Sequence, residues 1–277
     1  MSFFEQIETE NDLSASLTET FRQRPYVSIY ILGQKVNYPA ANVLHDICEF
    51  SLDRPSGAPD NYRIYTPTTD TYGLRVVSTS ANDTLAGTGV QRVKIHYLDT
   101  NWELQSVEVD MNGTTPVTAV ASGVRRVNDF HSLQTGTLSV SGGDISLETT
   151  GTTPEAPWTG RQTLGFINTG GNKDMTAVFT VPENKEIFAY EINVSSSNQD
   201  QSVRLRSNTD PITRELIQAN CFLFQSVDFI GSNNNATQSL DYLRFPSRAD
   251  IKISSSPTAT SADSSCHLVM AMIDKTV

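Results

Sequence analysis

The sequence predicts an all-β protein, two β-sandwich or jelly-roll-like domains behind a short N-terminal helical arm. Composition is the first sign: 29 Ser and 31 Thr put a small hydroxyl on 60 of 277 residues, with 18 Asn and 16 Gly besides. Ser, Asn and Gly favour turns, and the β-branched Thr suits a pleated surface. The second sign is that, beyond Tyr26, apolar residues alternate or cluster in short runs bounded by Gly, Pro, Asn and Asp, as strands are. The third is that helical spacing is clear only before Pro25. No fixed period of about 20 to 50 residues recurs, which argues against a solenoid or propeller.

In residues 1–25, Phe3 and Ile7 are four apart, as are Leu13, Leu17 and Phe21, and five acids stand there against two arginines. This spacing predicts an acidic amphipathic arm, with Asn11 or Asp12 as the cap of a helix over 13–23. Phe3, Phe4, Ile7, Leu13, Leu17 and Phe21 are its interface candidates. Two uses stay open: packing on its own domain, or docking on a neighbouring subunit.

A first β-sandwich domain is expected over 26–147. Tyr26 to Leu32 is a strand and Gly33-Gln34-Lys35 its turn. Residues 38–46 are ambiguous, with room for a short helix, 54–61 are loop, and 62–65 and 73–78 are strands. Over 90–111, Val93, Ile95 and Tyr97 share one face and Arg92, Lys94 and His96 the other, a half-buried antiparallel strand. Asp99-Thr100-Asn101 turns the chain. Trp102 and Leu104 then differ in parity from Val107, Val109 and Met111, which predicts a β-bulge near Gln105 or Ser106. Asn112-Gly113 signals a hairpin leading into 114–120, and Gly142-Gly143 breaks another over 138–147. Residues 148–162, rich in breakers and apolar mainly at Trp158, are the expected linker. The second domain, 163–277, has strands at 175–181, 187–194, 203–206, 221–230, 240–245, 251–255 and 266–273, with room for one short helix in 209–220.

Charge and motifs narrow the function. Twenty basic against 31 acidic residues leave a formal charge of −11, which provides no field for phosphate backbones, so nucleic-acid binding is not expected. No apolar run approaches the roughly 20 residues of a spanning helix, and the N-terminus lacks the pattern of a signal peptide, so no membrane partner and cytosolic synthesis are expected. Cys48, Cys221 and Cys266 are too scattered for zinc or redox spacing. There is no nucleophile elbow, phosphate loop, dinucleotide fingerprint or H-E-x-x-H. His45, His96, His131 and His267 look scattered, and Asp129 near His131, like Asp263 near His267, looks like chance proximity. Asp99, Asn101 and Glu103 begin like a calcium loop but lack its glycine and its final glutamate. No catalytic, cofactor-binding or metal-ligating residue is therefore expected, and the chain reads as a non-enzyme. Trp102 and Trp158 are candidates for sugar stacking or, in preference, for plugging an interface. Tyr30 and Tyr242 are further candidate anchors.

Two blocks carry a resemblance. Thr79-Ser80-Ala81-Asn82-Asp83-Thr84-Leu85-Ala86-Gly87-Thr88-Gly89-Val90, continuing through Tyr97-Leu98-Asp99-Thr100-Asn101-Trp102 to Asn112-Gly113-Thr114-Thr115-Pro116-Val117, is similar to a block of tailed-bacteriophage structural proteins, especially from phages of aquatic bacteria. Phe179-Thr180-Val181-Pro182-Glu183-Asn184-Lys185, with 187–195 and 245–253, resembles the second half of such proteins. The resemblance covers about half the chain. It implies a non-enzymatic virion component, assembled in the host cytoplasm, as capsid-surface decoration, cement or spike, or as part of the tail. Its partners would be other virion proteins and copies of itself; a receptor- or glycan-binding module of the same particle, meeting a host-surface glycan, is the alternative.

Overall fold

A computed structural model describes residues 27–36, 38, 41–42, 45–47, 72–151, 163–217 and 221–275. The expected arm with all six of its interface candidates, the 54–61 loop, the 62–65 strand, Cys48 and Trp158 lie outside the described residues. Within them the chain is all-β, in four antiparallel sheets. The strands are β1 (Val27–Val36), β2 (His45–Asp46), β3 (Tyr72–Ser78), β4 (Val90–Leu98), β5 (Leu104–Asp110), β6 (Val117–Val124), β7 (Arg126–Thr135), β8 (Ile145–Thr149), β9 (Thr163–Ile167), β10 (Val178–Thr180), β11 (Lys185–Ser197), β12 (Gln201–Ser207), β13 (Leu223–Ile230), β14 (Asn234–Phe245), β15 (Asp250–Pro257) and β16 (Asp263–Asp274). Among the described residues no helix is long and apolar enough to cross a membrane.

One body joins a sheet of order β1-β16-β11-β14 to another of order β2-β15-β12-β13, with β10 also on β15. Two four-stranded sheets in this order make a jelly roll. Alternate residues of each strand fill the space between them: Ile187 and Ile192 of β11, Val203 and Leu205 of β12, Phe245 of β14, Ile251 and Ile253 of β15, and Leu268 and Met270 of β16. The other body is a smaller sandwich of β6-β3-β8-β9 against β5-β4-β7. Leu74, Val76, Val93, Ile95, Phe130, Ile145, Leu147 and Ile167 are its core.

The bodies are nested, whereas a linker at 148–162 would have put them in tandem. β1 pairs along its whole length with β16, and β9 pairs with β8, so the strand pairing crosses that boundary in both directions. β2 and β10 occupy successive stretches of the same edge of β15, opposite Ser255–Ser254 and Lys252–Asp250. Between them the Ile47 amide donates to Ile253 O (3.0 Å), the Ala177 amide to Ile47 O (2.9 Å) and the Ile253 amide to Ala177 O (3.0 Å). The chain thus leaves one jelly-roll strand at Ile47 and rejoins it at Ala177, with the sandwich carried on the excursion. Adjacent ends are what a tolerated insertion requires.

Gly33 belongs to this crossing. It lies inside β1, where a turn was expected, and a Cβ on it would stand 2.5 Å from Ala177 Cβ and 2.8 Å from Cys266 Sγ. The missing side chain lets the returning segment pass over β1.

Other expectations are corrected by pairing. The β4–β5 register runs unbroken from Arg92 opposite Asp110 to Leu98 opposite Leu104, without the bulge expected near Gln105 or Ser106. Trp102, at φ +64°, belongs to the turn, and Leu104 simply faces outward, so no parity change has to be absorbed. The irregularities fall instead on the β4–β7 side, one of them between His96 and Tyr97. Asn112-Gly113 does turn, with Gly113 at φ +60°, but β6 crosses to pair with β3 and makes no hairpin with β5. The expected helix in 209–220 is, over its described part, a tight turn: Thr209 bridges Leu216, and Asp210 Oδ1 accepts from the Ile212 and Thr213 amides at 2.8 Å.

Of the 138–147 hairpin only β8 forms, because its first half wraps a buried carboxylate. Asp83, fully buried, accepts four hydrogen bonds: Oδ1 from the Val90 and Gly142 amides (both 2.8 Å), Oδ2 from Ser78 Oγ (2.6 Å) and the Gly143 amide (3.0 Å). It ties the ends of β3 and β4 to the approach to β8. A Cβ at Gly89 would lie 2.1 Å from Asp83 Oδ1, so the glycine admits this carboxylate.

Candidate functional site

The polar groups with the most chemical content gather where β7 of the inserted sandwich meets β10 and β15 of the jelly roll. Along β7, Arg126 and Asn128 approach the jelly roll, and Asp129 and His131 approach the segment that leads into β10. Arg126 donates from Nε to Asp250 Oδ1 (3.0 Å) and from Nη2 to Oδ2 (3.1 Å), a bidentate pair with both residues buried. Thr180 Oγ1 also donates to Asp250 Oδ1 (2.6 Å), and the Asp250 amide donates to Asn208 Oδ1 (2.7 Å). Burial works against the charge on Arg126, but the adjacent Asp250 carboxylate outweighs it and the guanidinium is held more firmly protonated than usual. Burial likewise pushes up the Tyr72 phenol beside this pair. Asn128 acts as a substitute strand: its Nδ2 donates to Thr180 O (2.8 Å) and its Oδ1 accepts from the Thr180 amide (2.9 Å), closing the outer edge of β10.

Trp102 seals the same junction. Its carbonyl accepts from the Glu183 amide at 2.7 Å, in the turn between β10 and β11. Its ring centroid lies 5.1 Å from the Arg126 guanidinium and 5.8 Å from those of Arg125 and Arg248, within cation–π range. Arg248 in turn pairs with Glu183. The structure thus puts Trp102 at an interface inside the chain. Tyr30 (54% exposed) and Tyr242 (37%) remain on the surface of the jelly roll.

Beside the junction lies a second cluster. His96 sits opposite Asp129 across β4 and β7, and Lys94 opposite His131. The rings of His96 and His131 stack with centroids 5.8 Å apart, His131 Nδ1 bonds Asp129 Oδ2, and Lys173 Nζ pairs with Asp129 Oδ1. Lys173 is brought there by backbone pairing of the β9–β10 connection with β7: the Ser132 amide donates to Asn172 O, and the Asp174 amide to Phe130 O, both at 2.8 Å. The proximity of Asp129 and His131 is therefore a built arrangement, and the histidines are not all scattered. Burial lowers the His96 pKa despite the nearby Asp129. For Asp129 burial acts in the opposite sense, but hydrogen bonds from His131 and Lys173 prevail and keep it ionised below the usual carboxylate range. The face of His96 was legible from strand parity; its neighbours depend on which strand lies alongside.

Asp174, next in the chain, behaves differently. Burial pushes its carboxyl up to about 7, against hydrogen bonds from Thr176 Oγ1 (2.7 Å) and the Phe166 amide (3.3 Å), both on Oδ1. An unfolded Asp titrates near 3.9. The folded protein therefore holds a proton that the unfolded chain releases between about pH 4 and 7, and stability from this group is lost as pH rises through that window. Asp174→Asn keeps an oxygen for both donors and cannot ionise. It is expected to change stability little at pH 4 and to raise it by about 1–3 kcal/mol at pH 8 relative to wild type, discounting the shift because the residue is only half-buried. Urea denaturation at both pH values reads this; equal effects at both would be contrary to it.

No family model matches the sequence, and no curated protein matches it either. Solved structures align over most of the chain at low similarity. The STIV MCP does so over 88% of this chain and 97% of its own, at 10% identity and a TM-score of 0.21. Infectious bursal disease virus Gt strain aligns over 90% and 72%, at 11% identity and 0.18. The infectious bursal disease virus VP2 subviral particle aligns over 90% and 72%, at 10% and 0.15.

Proposed function

We propose that this chain is a non-enzymatic structural protein of a virion, a capsid-surface decoration, cement or spike protein or a tail component of a tailed bacteriophage, acting by packing against neighbouring subunits. The observation that carries the reading is the strand order of the jelly roll, an architecture of viral capsid domains as well as of lectins and cupins. The resemblance of 79–95, 97–102 and 112–117, and of 179–185, 187–195 and 245–253, to phage structural proteins supports the first of these. In the first block, Asp83 ties Ser78 and Val90 to Gly142 and Gly143, in space that Gly89 leaves free, which is a scaffold's use of polar residues. Among the described residues no strand pairs with the outer edge of β14, nor with that of β1 apart from the bond of the Gln34 amide to Met175 O (3.0 Å); Val27 and Tyr30 are exposed on β1 and Tyr242 on β14, and neighbouring copies or other virion proteins would pack there.

A glycan-binding role receives no support from Trp102, whose ring is in contact with three arginines. Antibody labelling of particles tests the main reading: the chain is expected to sediment with virions and to mark head or tail, and recovery only outside particles would overturn it. Deleting residues 1–24 is expected to leave a folded protein that is not incorporated. Normal incorporation of that truncation would remove the docking role of the arm.

A further inference from the structure

We propose that His96, Asp129 and His131 form a binding site for one divalent transition-metal ion of the zinc class, taken up in exchange for the ammonium of Lys173. The proposal goes beyond a packing role and departs from the sequence-based expectation of no metal.

The geometry comes from the sheet. Asp129 and His131 are two apart on β7 and so project from the same face, while His96 projects from that face of the neighbouring strand, directly opposite Asp129. One ligand atom from each residue lies within 4.8 Å of the other two. Tetrahedral donors at zinc distances of about 2.0–2.1 Å stand about 3.3 Å apart, so at most about 1.5 Å remains to be closed, on the scale of a side-chain rotation. Two imidazoles and one carboxylate suit zinc, cobalt or nickel better than calcium or magnesium, which prefer all-oxygen shells. Three protein ligands leave a fourth position for water.

The cluster already accommodates a cation. Lys173 Nζ pairs with Asp129, and the Lys173 side chain is about one-third exposed (36%) on the β9–β10 connection, so it can swing into solvent while its backbone stays bridged to His131. Metal entry replaces the ammonium on Asp129 and the hydrogen bond that His131 now makes to the same carboxylate. The bound ion would cross-link β4 to β7 beside the irregular pairing at His96 and Tyr97. A cavity of about 20 Å³ next to Asp129 and Lys173 reaches Tyr30 and Ile31 of β1, so this cross-link stands against the jelly roll.

Titration of the tag-free full-length protein with zinc chloride in a calorimeter tests the site, with cobalt chloride as a spectroscopic probe. Wild type is expected to bind one ion at this site and to give the visible ligand-field bands of four-coordinate cobalt. Affinity should fall at least about tenfold in His96→Ala and in His131→Ala and rise about tenfold in Lys173→Met, the scale on which groups around a metal act. Tightening by Lys173→Met cannot come from misfolding, and far-UV circular dichroism checks the histidine variants. Wild-type binding no stronger than in the double histidine variant would overturn the proposal, as would binding that both histidine variants retain. A Lys173→Met protein that binds no tighter would overturn the exchange.

Discussion

Asp250→Ala is expected to destabilise the protein by about 3–5 kcal/mol, because it strands the buried Arg126 guanidinium without its counter-ion. Thr180 Oγ1 loses an acceptor at the same time. The substitution acts on the junction, so loss of packing between the sandwich and the jelly roll is expected to accompany it, seen as faster proteolysis near Arg125. Replacing both partners, Arg126→Met with Asp250→Leu, removes the buried charges together and should be more stable than either single change. Chemical denaturation of the four proteins in a double-mutant cycle checks this. Additive single effects would show that the pair does not act as a unit.

Asp83→Ala is expected to cost about 4 kcal/mol, since two buried backbone amides, one part-buried amide and one buried hydroxyl lose their acceptor at once. Asp83→Asn should recover little of this. Both carboxylate oxygens of Asp83 face backbone N–H donors, so an amide NH2 opposes the Val90 and Gly142 amides when turned to the Oδ1 side, and the Gly143 amide when turned to the Oδ2 side, where the Ser78 hydroxyl can turn to accept. The contrast with Asp174 is informative: there both donors fall on one oxygen, and the same replacement fits. Thermal melts of Asp83→Asn and Asp174→Asn at pH 8 should therefore move in opposite directions. Melting temperatures shifted alike would contradict the assigned hydrogen bonds.

Legibility in the sequence followed the range of the interaction. Alternation of Val93, Ile95 and Tyr97 placed β4, and β-branched runs placed β10 to β16, because a side chain's face is set by parity within its own strand. Parity could not identify the neighbouring strand. The supposed bulge at Gln105 arose from forcing Trp102 and Leu104 onto the buried face, whereas Trp102 belongs to the turn and its ring meets arginines on other segments. Gly33 looked like a turn because glycine is common in turns; its actual cause is Ala177, far away in the chain. Asp83 lay within the block that resembles phage proteins but carried no local signal, since its partners Gly142 and Gly143 are some 60 residues on.

The sequence alone determined the all-β class, most strand positions and the absence of familiar catalytic motifs, all of which depend on composition and on periods of a few residues. The tertiary structure decided that the sandwich is inserted at Ile47–Ala177 of a jelly-roll strand, that Arg126 meets Asp250, and that His96, Asp129, His131 and Lys173 converge. Each of these is a pairing between segments that solvent exclusion and backbone hydrogen bonding bring together only when the whole chain is packed, and short-range patterning carries no record of it.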